Sequence, residues 1–240
     1  MFKVVNERKV ALITGANRGI GLAIAQEFAS QGWQVVGSYR SERANAEFEQ
    51  LPCDVTDPVS IENLVKQVED KYQRIDALVI NAGWNKDALL MRLEDLDLHQ
   101  TIATNLTGSI QIARRVSRLM LKQRSGSIIF IGSVVGMLGS SGQTAYASTK
   151  AAVIGAARSM ARELGQRSIR VNVVAPGYVN TDMTKDLPAE QKAMIASMTP
   201  LGRTAEPSEV AKMVAFLSSD DAAFITGALI PIDGGLGMGH

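Results

Sequence analysis

Tyr146 and Lys150 stand four residues apart in Tyr-Ala-Ser-Thr-Lys, and Ser133, in Ile-Gly-Ser-Val-Val, lies thirteen residues before the tyrosine. Four residues is about one helical turn, so the phenol and the ammonium share a helix face. A free phenol titrates near pH ~10 and is a poor acid at neutrality. A fixed ammonium beside it favours the phenolate and is expected to draw that pKa toward the working range. A serine hydroxyl can hold the same oxygen from a second direction. Three such groups suit one task, which is to polarise a carbonyl and give it a proton. The task becomes a reduction only if the rest of the chain supplies a redox partner.

The elements that must position these groups follow a simple rhythm, in which short β-rich runs alternate with longer helical patterns. Residues 9–14 (Lys-Val-Ala-Leu-Ile-Thr) form a short apolar run suited to a strand buried on both faces. A glycine-rich turn, 15–21, precedes a helical stripe of Leu22, Ala25, Phe28 and Ala29. Further strands are predicted at 34–39, 50–54, 77–81, 127–132, 169–174 and 228–232. Asp57-Pro58 marks a helix start, with Ile61, Leu64, Val65 and Val68 as its inner stripe. Long helices are predicted at 98–123 and 144–164, and another opens at Pro207 and runs to 218. The link between 40 and 50 is short and polar, so its helix should be abbreviated. The pattern predicts one domain spanning 1–240: an α/β, Rossmann-type doubly wound parallel sheet of about seven strands with helices on both faces.

Gly15, Gly19 and Gly21 fall where a strand hands over to a helix. Glycines there allow a tight turn and close backbone approach to a pyrophosphate, which the free N–H groups of the helix start attract. The spacing is Gly-x-x-x-Gly-x-Gly, which departs from the usual dinucleotide fingerprint. The second strand ends in Ser38-Tyr39-Arg40, where an acidic residue would hold the ribose 2′-hydroxyl of NAD. Arg40, with Arg18 inside the glycine turn, favours the 2′-phosphate of NADP(H) instead. The alternative for Arg40 is the start of a solvated loop. Asp54 is placed to bond the adenine amino group or to serve as a turn carboxylate, and Asp57 is the stronger helix cap. Asn81-Ala82-Gly83 closes the fourth strand with small residues that admit a ligand, at the carboxyl edge where open parallel sheets bind them.

Composition excludes several classes. Twenty-five basic and 24 acidic residues give a net charge of +1, against a dedicated nucleic-acid surface. Cys53, the single cysteine, fits a small buried hydrophobe and a reducing compartment. With His99 and His240 it makes no recognisable metal site. No apolar run approaches the ~20 residues of a membrane helix, and the first residues lack a signal-peptide core, so a cytoplasmic protein is expected. Trp84 could wall a substrate cleft or simply pack. Residues 181–203, with Met183, Met194 and Met198, suit a mobile flap over an acyl chain.

Assembled, these residues resemble the short-chain dehydrogenase/reductase family. Thr-Gly-Ala-Asn-Arg-Gly-Ile-Gly, Asn-Ala-Gly, Ser133, Tyr146-x-x-x-Lys150 and Pro176-Gly177 match its motifs in order across nearly all 240 residues. Within the family, the stretches 89–92, 131–136, 171–178 and 181–184 look most like its 3-oxoacyl-[acyl-carrier-protein] reductases of type II fatty acid synthesis. Residues 53–57 and the ending 233–240 are similar to the reductase of mycolate-producing actinobacteria. The resemblance implies that Asn105 completes the catalytic set by holding a water that links Lys150 to solvent. It implies that Asn17, Ile20 and Val55 join the cofactor contacts, and that Val179 and Thr181 meet the nicotinamide carboxamide. It also implies an acyl carrier protein partner docking at Arg124 and Arg167, which otherwise read as solvated helix-end cations, and a homotetramer. The implied reaction passes hydride from NADPH to a β-keto carbon while Tyr146 supplies the proton, Ser133 orients the carbonyl and Lys150 binds the nicotinamide ribose.

Overall fold

A computed structural model describes residues 8–181 and 188–239. Met183, the first part of the anticipated flap and His240 lie outside the described residues. Seven strands form one sheet in the order β3-β2-β1-β4-β5-β6-β7, with every pairing parallel. They are β1 (Val10–Ile13), β2 (Gln34–Tyr39), β3 (Glu49–Pro52), β4 (Ala77–Ile80), β5 (Gly126–Ile131), β6 (Ile169–Pro176) and β7 (Leu229–Ile232). All four residues of β1 and of β4 are buried, as a strand covered by helices on both faces requires.

Because side chains alternate along a strand, each strand feeds two cores. Val10, Leu12, Leu78, Ile128, Phe130 and Val171 point to one face. There they meet α2 (Pro58–Tyr72), α4 (Ser109–Gln123) and α6 (Thr144–Leu164). Ala11, Ile13, Val79, Ile129, Ile131 and Val174 point to the other face, covered by α1 (Gly19–Ser30) and α8 (Pro207–Ser218). Each fully buried Leu or Ile contributes about 2 kcal/mol relative to an exposed one, so a parallel sheet sandwiched in this way is rigid. That rigidity fixes the loops at its carboxyl edge.

Local signals explain the helix ends. Asp57 caps α2 by accepting the Val59 N–H at 2.9 Å, and Pro58 occupies the first turn. Glu206 and Glu209 form a reciprocal capping box at α8. The β2–β3 link, expected to hold an abbreviated helix, holds none; instead Gln50 clasps both backbone groups of Ala44 at 2.7 and 2.9 Å.

The stretch predicted as one helix over 98–123 differs. Helix α3 (Asp95–Ile102) runs through a π-helical turn, Ala103–Gly108, before α4 begins. Such turns insert an extra residue into the helical ladder and often mark functional sites. Here the turn carries Asn105. The remaining α-helices among the described residues are α5 (Val135–Leu138), which no periodicity predicted, and α7 (Ala189–Met198), inside the anticipated flap.

Candidate active site

Ser133 follows the end of β5, and Tyr146 is the third residue of α6. The short helix α5 sits between them and packs directly on α6. A Cβ at Gly136 would lie 2.8 Å from the Lys150 carbonyl carbon, so glycine is required for that contact. The Ser133 hydroxyl accepts the Val135 N–H at 3.2 Å and stands close enough to the Tyr146 phenol to draw its pKa down. Lys150 is buried and donates from Nζ to the Ile131 carbonyl at 2.7 Å, which anchors it to the last residue of β5. Its Nζ lies 5.5 Å from the Tyr146 ring centroid and 3.9 Å from where a Gly83 Cβ would stand. The three chemical groups and the end of β4 therefore share one small space.

The electrostatics correct one expectation. Burial pushes the Tyr146 phenol above its ordinary pKa, with a smaller push from the Asp87 carboxylate, while the Ser133 hydrogen bond pulls the other way. Lys150 is not among the groups that move the phenol; its ammonium is turned to the Ile131 carbonyl. Lys150 instead carries the large shift: burial lowers it to about 8. A lysine titrating there can exchange protons near neutral pH.

Asn105 is almost fully buried, and its side chain is bonded to protein throughout. Oδ1 accepts the Trp84 N–H at 2.8 Å; Nδ2 donates to the Trp84 carbonyl at 2.9 Å and to Thr149 Oγ1 at 3.2 Å. Its observed work is thus to pin the loop after β4 to α6. Thr149 passes the link on by donating to the Tyr146 carbonyl at 2.8 Å. Sequence reasoning missed Thr149 and Gly136; neither residue type signals such a role without the fold.

The glycine turn is a steric necessity. Gly15 has φ +64°, and its Cβ would stand 3.0 Å from the Ala82 Cα. A Cβ on Gly21 would sit 2.1 Å from the Gly15 carbonyl oxygen. Asn81 Nδ2 braces the turn by donating to the Thr14 and Gly15 carbonyls at 3.1 and 2.9 Å. Thr14 Oγ1 in turn accepts the N–H groups of Asn81 and Ala82, each at 3.0 Å. Arg18 at the start of α1 makes no side-chain cap, and no acidic residue occupies the first turn. With Gly19 and Ile20 following, a dipole end and backbone donors remain for an anion. The turn abuts β2 through Ala16 N–H to Ser38 O at 2.9 Å, which places Asn17, Arg18 and Arg40 along the same rim. This cradle fits a dinucleotide pyrophosphate.

Among the remaining predicted contacts, Asp54 Oδ1 accepts from the Thr56 N–H and hydroxyl at 2.8 and 2.7 Å, so the turn role is observed. Its neighbour Val55 is buried in the core. Pro176 ends β6; Gly177 has Asp233 2.8 Å from its would-be Cβ, and Val179 is buried just beyond, bridged to Ala205. Thr181 reaches the glycine turn, 3.6 Å from a Cβ at Gly19. Arg124 and Arg167 lie elsewhere. They precede β5 and β6, whose first residues Gly126 and Ile169 pair, and so sit at the opposite edge of the sheet from Tyr146. Both arginines are exposed.

Residues 15–237 match the family described as enoyl-(acyl carrier protein) reductase. The chain is 45% identical over 240 residues to the 3-oxoacyl-[acyl-carrier-protein] reductase FabG of Escherichia coli, covering 97% of this chain and 98% of that one. The chain belongs to the short-chain dehydrogenase/reductase family. As a member, it has the fold of an oxidoreductase that uses a nicotinamide cofactor. FabG of Haemophilus influenzae is 47% identical over 236 residues (95% and 98% covered). MabA of Mycobacterium tuberculosis, also a 3-oxoacyl-[acyl-carrier-protein] reductase, is 46% identical over 229 residues (95% and 93% covered). These identities are nearly equal, so the likeness to the actinobacterial enzyme is no stronger than the likeness to the other two. No helix among the described residues is long and apolar enough to cross a membrane, and none of them form a cluster of three or more potential metal ligands.

Proposed function

We propose that the protein reduces the 3-keto group of an acyl thioester carried on acyl carrier protein, taking hydride from NADPH. The observation that carries this reading is the meeting of Ser133, Tyr146 and Lys150 beside Gly83, in a chain alike over nearly its full length to reductases of that substrate. When bound, the nicotinamide supplies the hydride that adds to the keto carbon. Ser133 orients the keto oxygen, and Tyr146 delivers the proton to it as the alkoxide forms. The raised phenol pKa suits a donor that must hold its proton until then. Lys150, with its pKa near 8, is placed to hold the cofactor's ribose and to replace the phenol's proton. Asn105 fixes Trp84 and Thr149 around them, so a role in holding a water would fall to atoms other than its bonded amide N–H groups.

The cofactor preference rests on Arg18 and Arg40, two exposed cations at the rim of the glycine turn, with Ser38-Tyr39 and no carboxylate ending β2. Gly15, Asn17, Gly19, Ile20 and Gly21 would face the pyrophosphate, Asp54 and Val55 the adenine side. Asn81, Ala82 and Gly83 would line the floor, and Pro176, Gly177, Val179 and Thr181 the carboxamide.

Carrier docking at Arg124 and Arg167 is consistent with the site only if another copy of the chain presents them, since in one chain they lie at the far edge. Exposed Ile102, Ile110 and Leu121 on α3 and α4, and fully exposed Phe224 ahead of β7, support assembly into a tetramer through these surfaces. The enzyme is read as a cytoplasmic one.

Steady-state assays with acetoacetyl thioesters test the reading, on carrier protein and on free thiol, with NADPH and NADH. NADPH oxidation that is faster with the carrier-linked substrate is expected. Turnover of an enoyl thioester or a free ketone, with none of the 3-oxo thioester, would overturn the substrate assignment.

A further inference from the structure

The loop after β4 is tied to its neighbours at several points along its course. Trp84 is gripped by Asn105 through both backbone groups, and Lys86 pairs with Asp97 of α3 at 2.7 Å. Ala88 donates its N–H to the Gly142 carbonyl at 2.9 Å. Between these ties lies Asp87. Its Oδ1 accepts two side-chain amides, Asn85 Nδ2 at 2.7 Å and Gln143 Nε2 at 2.9 Å. An ionised carboxylate oxygen suits that double acceptance, since it is an acceptor only and bonds donors strongly.

Gln143 is the residue on which α6 begins, three before Tyr146. Its own carbonyl accepts the Ala147 N–H at 2.8 Å, the first link of the helix. The site's other braces hold α6 from below, through Asn105, Thr149 and Lys150. At the mouth, among the described residues, the side-chain tie from the loop after β4 is the one through Asp87. We propose that Asp87 is a positioning residue, latching the start of α6 to the loop after β4 through Gln143 and thereby setting where Tyr146 meets its substrate. This rests on the reductase reading above, which it extends by one residue that touches neither substrate nor cofactor.

The latch has an electrical side. Asp87 adds to the upward push that burial gives the phenol. The other charges around Tyr146 are few. Lys150 comes from α6 itself; α3, packed on α6, carries Asp95, exposed His99 and the Asp97 already paired with Lys86. The π-helical turn, the end of β5 and α5 bring no titratable side chain.

Position and charge can be separated by substitution. Gln143→Ala cuts the latch and leaves the carboxylate, so kcat should fall about tenfold with the alkaline limb of kcat/KM unmoved. Asp87→Asn keeps an oxygen acceptor and removes the charge. It should lose less of kcat than Gln143→Ala, while the Tyr146 phenol titrates at lower pH. Asp87→Ala should show both effects.

A second readout needs no substrate: the tyrosinate absorbance of Tyr146, taken as the difference from Tyr146→Phe, should titrate at lower pH in Asp87→Asn. A wild-type rate and pH profile in Asp87→Ala would overturn the latch. If Gln143→Ala and Asp87→Ala lose rate on another carbonyl substrate while no 3-oxoacyl thioester is turned over, the substrate reading fails and the latch stands.

Discussion

The two halves of the site are built on opposite plans. Around Gly15, Gly19 and Gly21, function depends on atoms that are absent, and the polar side chains nearby are braces. Asn81 and Thr14 put their hydrogen bonds into the turn itself. At the end of β5 and the start of α6, function depends on side chains held in tension with their surroundings. There a phenol is pushed up and an ammonium is brought down to about 8 by burial. The cradle is shaped by sterics and the catalytic face by desolvation. Damage to the first should therefore appear as lost stability and cofactor affinity, and damage to the second as lost rate in a well-folded protein.

The comparison breaks first, and furthest, at Tyr146. Tyr146→Phe should lower kcat by about a thousandfold, the range typical of a lost general acid, with cofactor affinity by calorimetry nearly unchanged. Equal losses of rate and binding would show that the two halves are not separable.

Gly21→Ala should cost about 3 kcal/mol in thermal or urea unfolding and abolish cofactor binding, because its Cβ meets a backbone oxygen that cannot move away freely. A mutant as stable as wild type would remove the steric argument.

Lys150→Met should abolish activity yet raise stability at neutral pH by about 2 kcal/mol, from a burial penalty of about 3 less about 1 for the lost Ile131 hydrogen bond. Between about 8 and the ordinary lysine value, the unfolded chain holds a proton that the folded one has released, so wild-type stability rises with pH there. The mutant's advantage should shrink accordingly above pH ~8. Denaturant melts at several pH values check both points.

The smallest effect is at the rim. Arg40→Asp should shift the ratio of kcat/KM for NADPH over NADH by about tenfold, since an acidic side chain there suits a ribose hydroxyl and repels a phosphate. An unchanged ratio would assign the preference to Arg18 or to neither.

Much of the frame was legible in the chain. Strand β2 and helices α6 and α8 run over the ranges read from the sequence, and α2 starts at Asp57-Pro58 as expected. Those signals are local and strong. Helix α5 was not legible, being four residues long and held by its packing on α6 through Gly136. The π-helical turn was hidden for a related reason: its extra residue lets Asn105 reach the Trp84 backbone, 21 positions away in sequence. Asp57 was readable as a cap from its neighbours, whereas nothing local marks Asp87, which Gln143 meets across 56 positions.

What the sequence alone determined is which chemistry is possible. The i, i+4 spacing of Tyr146 and Lys150, the glycines after a buried strand and the arginines beside them are properties of residue type and spacing. They hold wherever the chain adopts its preferred elements. What only the tertiary structure decided is the electrical state of those groups. The ammonium turns to the Ile131 carbonyl and leaves the phenol raised by burial, because pKa depends on solvent and charges assembled from β4, β5, α5 and α6 together. Spacing names the proton donor, and burial decides how firmly it holds its proton.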